Sequence, residues 1–311
     1  MKLGNILLLL AIAAIVTVAS LWVGQQAYFW LPSQAVAEAK LVDDLFSFLV
    51  AIATFIFFGV LGTLTYSVFA FGAVKGDFSD AAPIEGNKKL EIVWTTIPIL
   101  LVVWIAVKSF DVYGQMGDLN PMQMHDLHMP VKAKPAQALT LSNNTESVVD
   151  APSAHARRLE IEVFAKQWAW SFRYPEKDVT STELHLPVNQ GIRLAMQSED
   201  VIHGFYVPEF RLKQDIIPNR TIDLQFTPIR VGKYRLNDSQ FSGTYFAAMQ
   251  ADVYIDSPET YNQWLASAAT CKPIPADNQA ASEHAQPPKK PLQSGWPAVP
   301  PAPPPVVNHP S

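Results

Sequence analysis

The stretch Leu159-Glu-Ile-Glu-Val-Phe-Ala-Lys-Gln-Trp-Ala-Trp-Ser-Phe-Arg-Tyr174 decides the fold. Leu159, Ile161 and Val163 recur at every second residue, and Trp168, Trp170, Phe172 and Tyr174 do so in the opposite phase. A period of two is that of a strand with one buried face. The change of phase predicts a β-bulge near Ala165–Gln167, because one extra residue turns every later side chain to the other face. Further short strands are predicted at Thr182–Leu186, Ile192–Met196, Thr221–Phe226, Lys233–Leu236 and Met249–Ile255, with Pro and Gly turns between them. Short strands at this spacing predict a β-sandwich over residues 158–266.

Upstream, residues 114–157 read as a linker of Gly, Asn, Pro and Ser clusters without a sustained period. Before it stand three apolar runs. Leu45–Val74 has no charged side chain and Ile92–Val107 lies between Glu91 and Lys108, so residues 41–113 are expected to form a transmembrane helix hairpin. Pro98 is expected to kink its helix without ending it. Ile6–Val23 is also free of charge, and residues 1–24 read as a first transmembrane helix or a signal peptide. The loop Lys75–Lys89 carries three lysines, which places it in the cytoplasm and the sandwich on the periplasmic or lumenal side.

Downstream, the composition collapses into Ala, Pro, Gln and Lys. Twelve of the 25 prolines fall between Cys271 and Ser311, so residues 267–311 are expected to be disordered. The whole chain of 311 residues is 49% apolar and only 16% charged, with a net charge of −5. That balance fits a partner in the lipid bilayer and argues against nucleic acid. Its single cysteine excludes a disulfide framework, a thiol redox pair and a Cys-based zinc site.

Several segments, in the right order, carry a resemblance. They are Leu90-Glu91-Ile-Val-Trp94-Thr-x-x-Pro98, Gln167-Trp168-Ala-Trp170-x-Phe-x-Tyr174, Glu183-Leu-His-Leu-Pro187, Asp215-Ile-Ile-Pro-Asn-Arg220 and Gly232-Lys-Tyr234. Over roughly Leu41–Trp264 the chain resembles cytochrome c oxidase subunit II. The resemblance implies a membrane-anchored all-β protein, with a cupredoxin-like Greek-key sandwich behind the helix hairpin. In that family Cys-x-Glu-x-Cys-x-x-x-His-x-x-Met and one earlier His hold a two-copper centre. Here Asp238 and Ser242 stand for the two Cys, Gln240 for the Glu and Phe246 for the His; only His203 and Met249 remain. Two bridging thiolates are what such a centre needs, so no metal is expected at these positions.

A member without copper ligands is similar to the quinol-oxidising branch, and most of all to the cyanobacterial alternative respiratory terminal oxidase. The resemblance then implies a subunit of a terminal oxidase that couples oxygen reduction to proton translocation. It would scaffold subunit I, with subunit III a further partner and membrane quinol the electron donor, in a bacterial plasma membrane or a cyanobacterial thylakoid. Haem and copper would belong to subunit I, and no cofactor to this chain. No His precedes residue 125, so the apolar runs offer no imidazole ligand.

Individual residues carry further expectations. Glu91, at the cytoplasmic start of a membrane helix, reads as a helix-end acid favoured by the dipole; the resemblance instead implies the entrance of a proton path. Gln240 replaces an acid that in the family also helps hold magnesium. Trp168 matches the residue that there receives electrons from cytochrome c, but reads here as sandwich core. His203 reads as a hydrogen-bonded loop histidine and Met249 as core. Met122, Met124, His125, His128 and Met129 are soft donors suited to Cu(I). They support a rival reading as a non-catalytic assembly or copper-delivery protein; another rival is a cytochrome c oxidase subunit with a degenerate copper site.

Overall fold

The structure, a computed structural model, describes residues 3–72, 86–116, 158–285 and 299–308. The linker with its Met and His cluster, most of the Lys-rich loop and residues 286–298 lie outside the described residues. Two compact units result, one of helices and one of strands; Ala35–Ala37 belongs to the second.

The helical unit contains α1 (Leu3–Gln26), α2 (Ala39–Phe71) and α3 (Lys88–Gln115). All three are long and apolar enough to cross a membrane. At about 1.5 Å per residue even α1 exceeds a hydrocarbon core of about 30 Å. The helices satisfy their own polar groups: the hydroxyls of Thr54, Thr63 and Ser67 each donate to the carbonyl four residues back. α1 and α2 meet at Gly24, whose carbonyl accepts from Ser47 Oγ at 2.8 Å. α2 meets α3 through an edge-on contact of Phe48 with Trp104. Pro98 lies inside α3 as expected. α2 begins six residues before the charge-free run, because acids are welcome in a helix's opening turns. Asp43 there accepts from Gln34 Nε2 and Asp44 from Tyr28 Oη, both at 2.6 Å.

The strand unit contains β1 (Leu159–Lys166), β2 (Ala169–Tyr174), β3 (Val179–Ser181), β4 (Leu184–Pro187), β5 (Ile192–Ser198), β6 (His203–Val207), β7 (Leu212–Ile216), β8 (Ile222–Phe226), β9 (Gly232–Asp238) and β10 (Gln250–Asp256). They form two five-stranded sheets, ordered β3-β2-β1-β5-β8 and β4-β10-β9-β6-β7. Ile161, Val163, Phe172, Leu194, Phe205, Leu236 and Val253 are buried. Each contributes roughly 1.5–3 kcal/mol by leaving water.

The expected β-bulge is a hairpin. β1 pairs antiparallel with β2, Ala165 opposite Trp170 and Lys166 opposite Ala169, so Gln167 and Trp168 form the turn. This register sets odd positions of β1 beside even positions of β2, and the reversal of the chain demands the change of phase.

For residues 267–285 and 299–308 the tail expectation also needs correction. α4 (Pro258–Thr270) is capped by Ser257, whose Oγ accepts from Thr260 N, and buries Tyr261, Leu265 and Ala268. Beyond it, β11 (Ile274–Pro275) pairs with β12 (Val306–Val307), and α5 (Gln279–Ala285) lies between them in sequence. Ala276, Ala280 and Val307 are buried. A chain rich in Ala and Pro builds no core of its own, but it can lay small side chains on one that already exists.

Candidate functional site at the degenerate copper positions

The six positions that the resemblance sets against copper ligands come from β6, β9 and the loop 239–249 between β9 and β10. His203 opens β6 rather than lying in a loop, and it is wholly buried. β6 was missed because Gly204 and the neighbouring Pro208 interrupt the expected alternation. Asp238 ends β9, its side chain as inaccessible as that of His203. The two meet at 2.8 Å, Nδ1 to Oδ2. On the far side of the ring Nε2 lies 2.9 Å from Asp200 Oδ1.

The carboxylate of Asp238 is surrounded by donors. Oδ1 accepts from Gly204 N at 2.7 Å and Gln240 N at 3.0 Å, and Oδ2 from Ser242 Oγ at 2.8 Å. Burial pushes the Asp238 carboxyl up, but these bonds together with His203 outweigh it and hold it below the usual range. Burial likewise disfavours a charged His203, yet Asp238 and Asp200 raise its pKa above the ordinary value. Both ring nitrogens thus lie against carboxylate oxygens, where each is placed to donate. A ring nitrogen that donates offers no lone pair to a metal. With no thiolate at Asp238 or Ser242, these residues do not fit a two-copper centre.

The remaining positions serve the frame. Met249 is buried as expected; its carbonyl accepts from Asp238 N at 3.1 Å and from Trp170 Nε1 at 3.2 Å. Phe246 packs edge-on against Phe241. The Gln240 side chain lies over Gly204, where a Cβ would collide with Ser239 Oγ and press on Gln240 itself. That close approach is what only glycine permits.

Trp168 is 2% exposed, though it sits in a turn rather than on a strand. Its Nε1 and Gln167 Nε2 both donate to Ser242 O, at 3.1 and 2.6 Å. Gly243, at φ +115°, leaves room for the indole; a Cβ there would lie 2.8 Å from Cζ2. Asp200 Oδ2 accepts from Gln167 N at 2.7 Å, so the Gln167–Trp168 turn, the loop and the histidine form one network. Asp200 was missed by sequence reasoning. Its spacing of three from His203 was the available signal.

Glu91 stands apart, exposed in the first turn of α3. Asn87 Oδ1 caps that helix, accepting from Lys89 N and Leu90 N.

Two family descriptions match the chain: Cytochrome C oxidase subunit II, transmembrane domain, over residues 20–112, and Cytochrome C oxidase subunit II, periplasmic domain, over residues 178–255. Cytochrome c oxidase subunit 2 of Synechocystis sp. is 36% identical over 292 residues, 90% of this chain and 87% of that protein. The chain belongs to the cytochrome c oxidase subunit II family. Members of this family are oxidoreductase subunits, and this one is membrane-anchored with its cupredoxin-like domain outside. Quinol oxidase subunit 2 of Bacillus cereus is 26% identical over 194 residues, 61% of this chain and 56% of that protein. The solved periplasmic domain of subunit II of cytochrome oxidase from Bradyrhizobium japonicum is 27% identical, covering 37% of this chain and 94% of its own, with a TM-score of 0.34.

Proposed function

We propose that this subunit II serves a quinol-oxidising haem–copper oxidase, which reduces oxygen to water and translocates protons. Haem and copper belong to subunit I, which this chain scaffolds, with subunit III a further neighbour. The membrane of this reading is a bacterial plasma membrane or a cyanobacterial thylakoid, with the sandwich periplasmic or lumenal.

One observation carries the reading. The positions that would hold two copper ions hold a closed His203–Asp238–Ser242 network, whose hydrogen bonds already use the donors and acceptors a metal would need. Without a metal there, electrons have no relay through this domain, and a donor dissolved in the membrane reaches subunit I by another route. Relatives named for both donors match the chain, so the ligand positions carry the choice.

Oxygen uptake per haem by the purified complex tests it. Turnover is expected with a quinol and not with reduced cytochrome c; the reverse result would sink the proposal. Glu91 collects protons at the cytoplasmic end of α3 in this reading. Glu91→Gln keeps the size and hydrogen bonding but cannot titrate near neutral pH. The complex should assemble normally and reduce oxygen more slowly with quinol. Unchanged turnover from about pH 6 to 9, a range that spans neutral titration, would leave Glu91 a helix-end acid alone.

A further inference from the structure

The Gln167–Trp168 turn has two carbonyls that no strand partner satisfies, and both are taken by the C-terminal segment. Ala302 N donates to Gln167 O at 2.6 Å, and Asn278 Nδ2 to Trp168 O at 3.3 Å. Asn278 is itself buried, and its Oδ1 accepts from Ala281 N in the first turn of α5. From α5, His284 meets Tyr245 of the 239–249 loop, Nδ1 lying 3.4 Å from Tyr245 Oη and the rings edge-on. Tyr245 in turn stands edge-on to Trp168 at 5.1 Å.

The segment is anchored at both ends. Asn308 exchanges two hydrogen bonds with Thr180 of β3, N to Thr180 O at 2.8 Å and Thr180 N to Oδ1 at 3.0 Å. Its Nδ2 donates to Cys271 O at 3.1 Å, and Ala276 N donates to Pro305 O at 2.9 Å, which ties the two halves together. Buried polar groups are partnered as a rule because each orphan loses its bonds to water and gains none in return. Here the partners come from the far end of the chain.

We propose that residues 271–285 and 299–308 are a self-docked strap: they cover the Gln167–Trp168 turn and Tyr245, fix the loop 239–249 from outside, and close this face to a second protein. The proposal rests on the reading above only in taking that loop to hold no metal, so that its position needs another tie. Donor identity is read from oxygen uptake and the strap from surface accessibility, so either fails without the other.

Hydroxyl-radical footprinting of the assembled complex, read residue by residue by mass spectrometry, is the test. Trp168 and Tyr245 report the covered face, and Phe172, which is fully buried within the sandwich, reports folding. In the full-length complex Trp168 and Phe172 should both be protected. A chain ending at Thr270 should show several-fold more oxidation at Trp168 and Tyr245, with Phe172 unchanged. Should truncation expose Phe172 as well, the double substitution Asn278→Ala, Asn308→Ala loosens the seat while keeping the chain, and Trp168 alone should rise. Trp168 strongly oxidised in the full-length complex, or unmoved in both variants, overturns the proposal.

Discussion

His203 and His185 are both buried histidines set between two carboxylates in the same sheet, yet they are stabilised from opposite sides. At His203 the anion is cared for: Asp238 collects two backbone N–H groups and the Ser242 hydroxyl, with no solvent access for either partner. At His185 the ring is cared for. Its ring is stacked between Tyr254, centroids 4.7 Å apart, and Trp264 of α4, at 3.9 Å. Its carboxylates, Asp256 at 2.7 Å and Glu183 at 3.5 Å, keep some contact with water. Both rings have a raised pKa although burial opposes it, because the carboxylates outweigh burial. A buried histidine–carboxylate pair can thus be stabilised through dipoles on the carboxylate or aromatic faces on the ring. It is costliest to break where water cannot take over the orphaned group.

Asp238→Ala should have the largest effect. It leaves His203 with Asp200 alone and strands three donors in a dry site, and breaking such a pair costs about 3–5 kcal/mol. Denaturant unfolding of the detergent-solubilised chain, followed by Trp fluorescence, measures it. A loss no greater than at His185 would erase the distinction between the two sites.

His185→Phe should cost less, about 1–2 kcal/mol, because the stack survives and the two carboxylates regain water. The same unfolding curves read this value. A loss equal to that of Asp238→Ala would mean that the aromatic faces contribute little without the charge.

The smallest effect is the pH dependence of stability. Asp238 has a folded pKa below its unfolded one, so its stabilisation is present above about pH 3.9 and is lost as pH falls through the folded value. The histidines have folded pKa values above their unfolded ones; their stabilisation is complete below about pH 6.5 and is lost as pH rises through the folded values. Stability should therefore decline at both ends. Asp238→Ala should flatten the acid limb, and His185→Phe should weaken the alkaline limb while sparing the acid one. Melting temperatures across the range decide this.

The strands and helices that alternate or stay apolar were legible in the sequence, because periodicity needs no partner. β5, β8 and β10 were read near their true bounds, whereas β1 and β2 were read as one bulged strand. The short β6 and β7 were not, since Gly204 and the charged Lys213 and Asp215 break the pattern on strands that inner neighbours hold in place. The loss of thiolates at Asp238 and Ser242 could be read directly. What replaces them could not, because Asp200 and Gln167 reach the site only through the fold, and Asn278 and Ala302 arrive from a tail whose composition signals disorder. A contact across the chain leaves no local trace.

The connection between α1 and α2 carries a consequence for synthesis. Ala35–Ala37 lies against the β8–β9 turn: Ala37 N donates to Thr227 O and Ile229 N to Ala35 O, about Val36 and Pro228. Chains emerge from the ribosome N-terminus first. The connector is therefore made, and both its helices are available to the membrane, long before residues 227–229 exist. Ala37 N and the Ala35 carbonyl must wait for partners made after β8. An early-made segment then joins a late-made turn, and a chain halted before β8 would offer it only the Glu209 carbonyl, which accepts from Ala35 N at 3.0 Å.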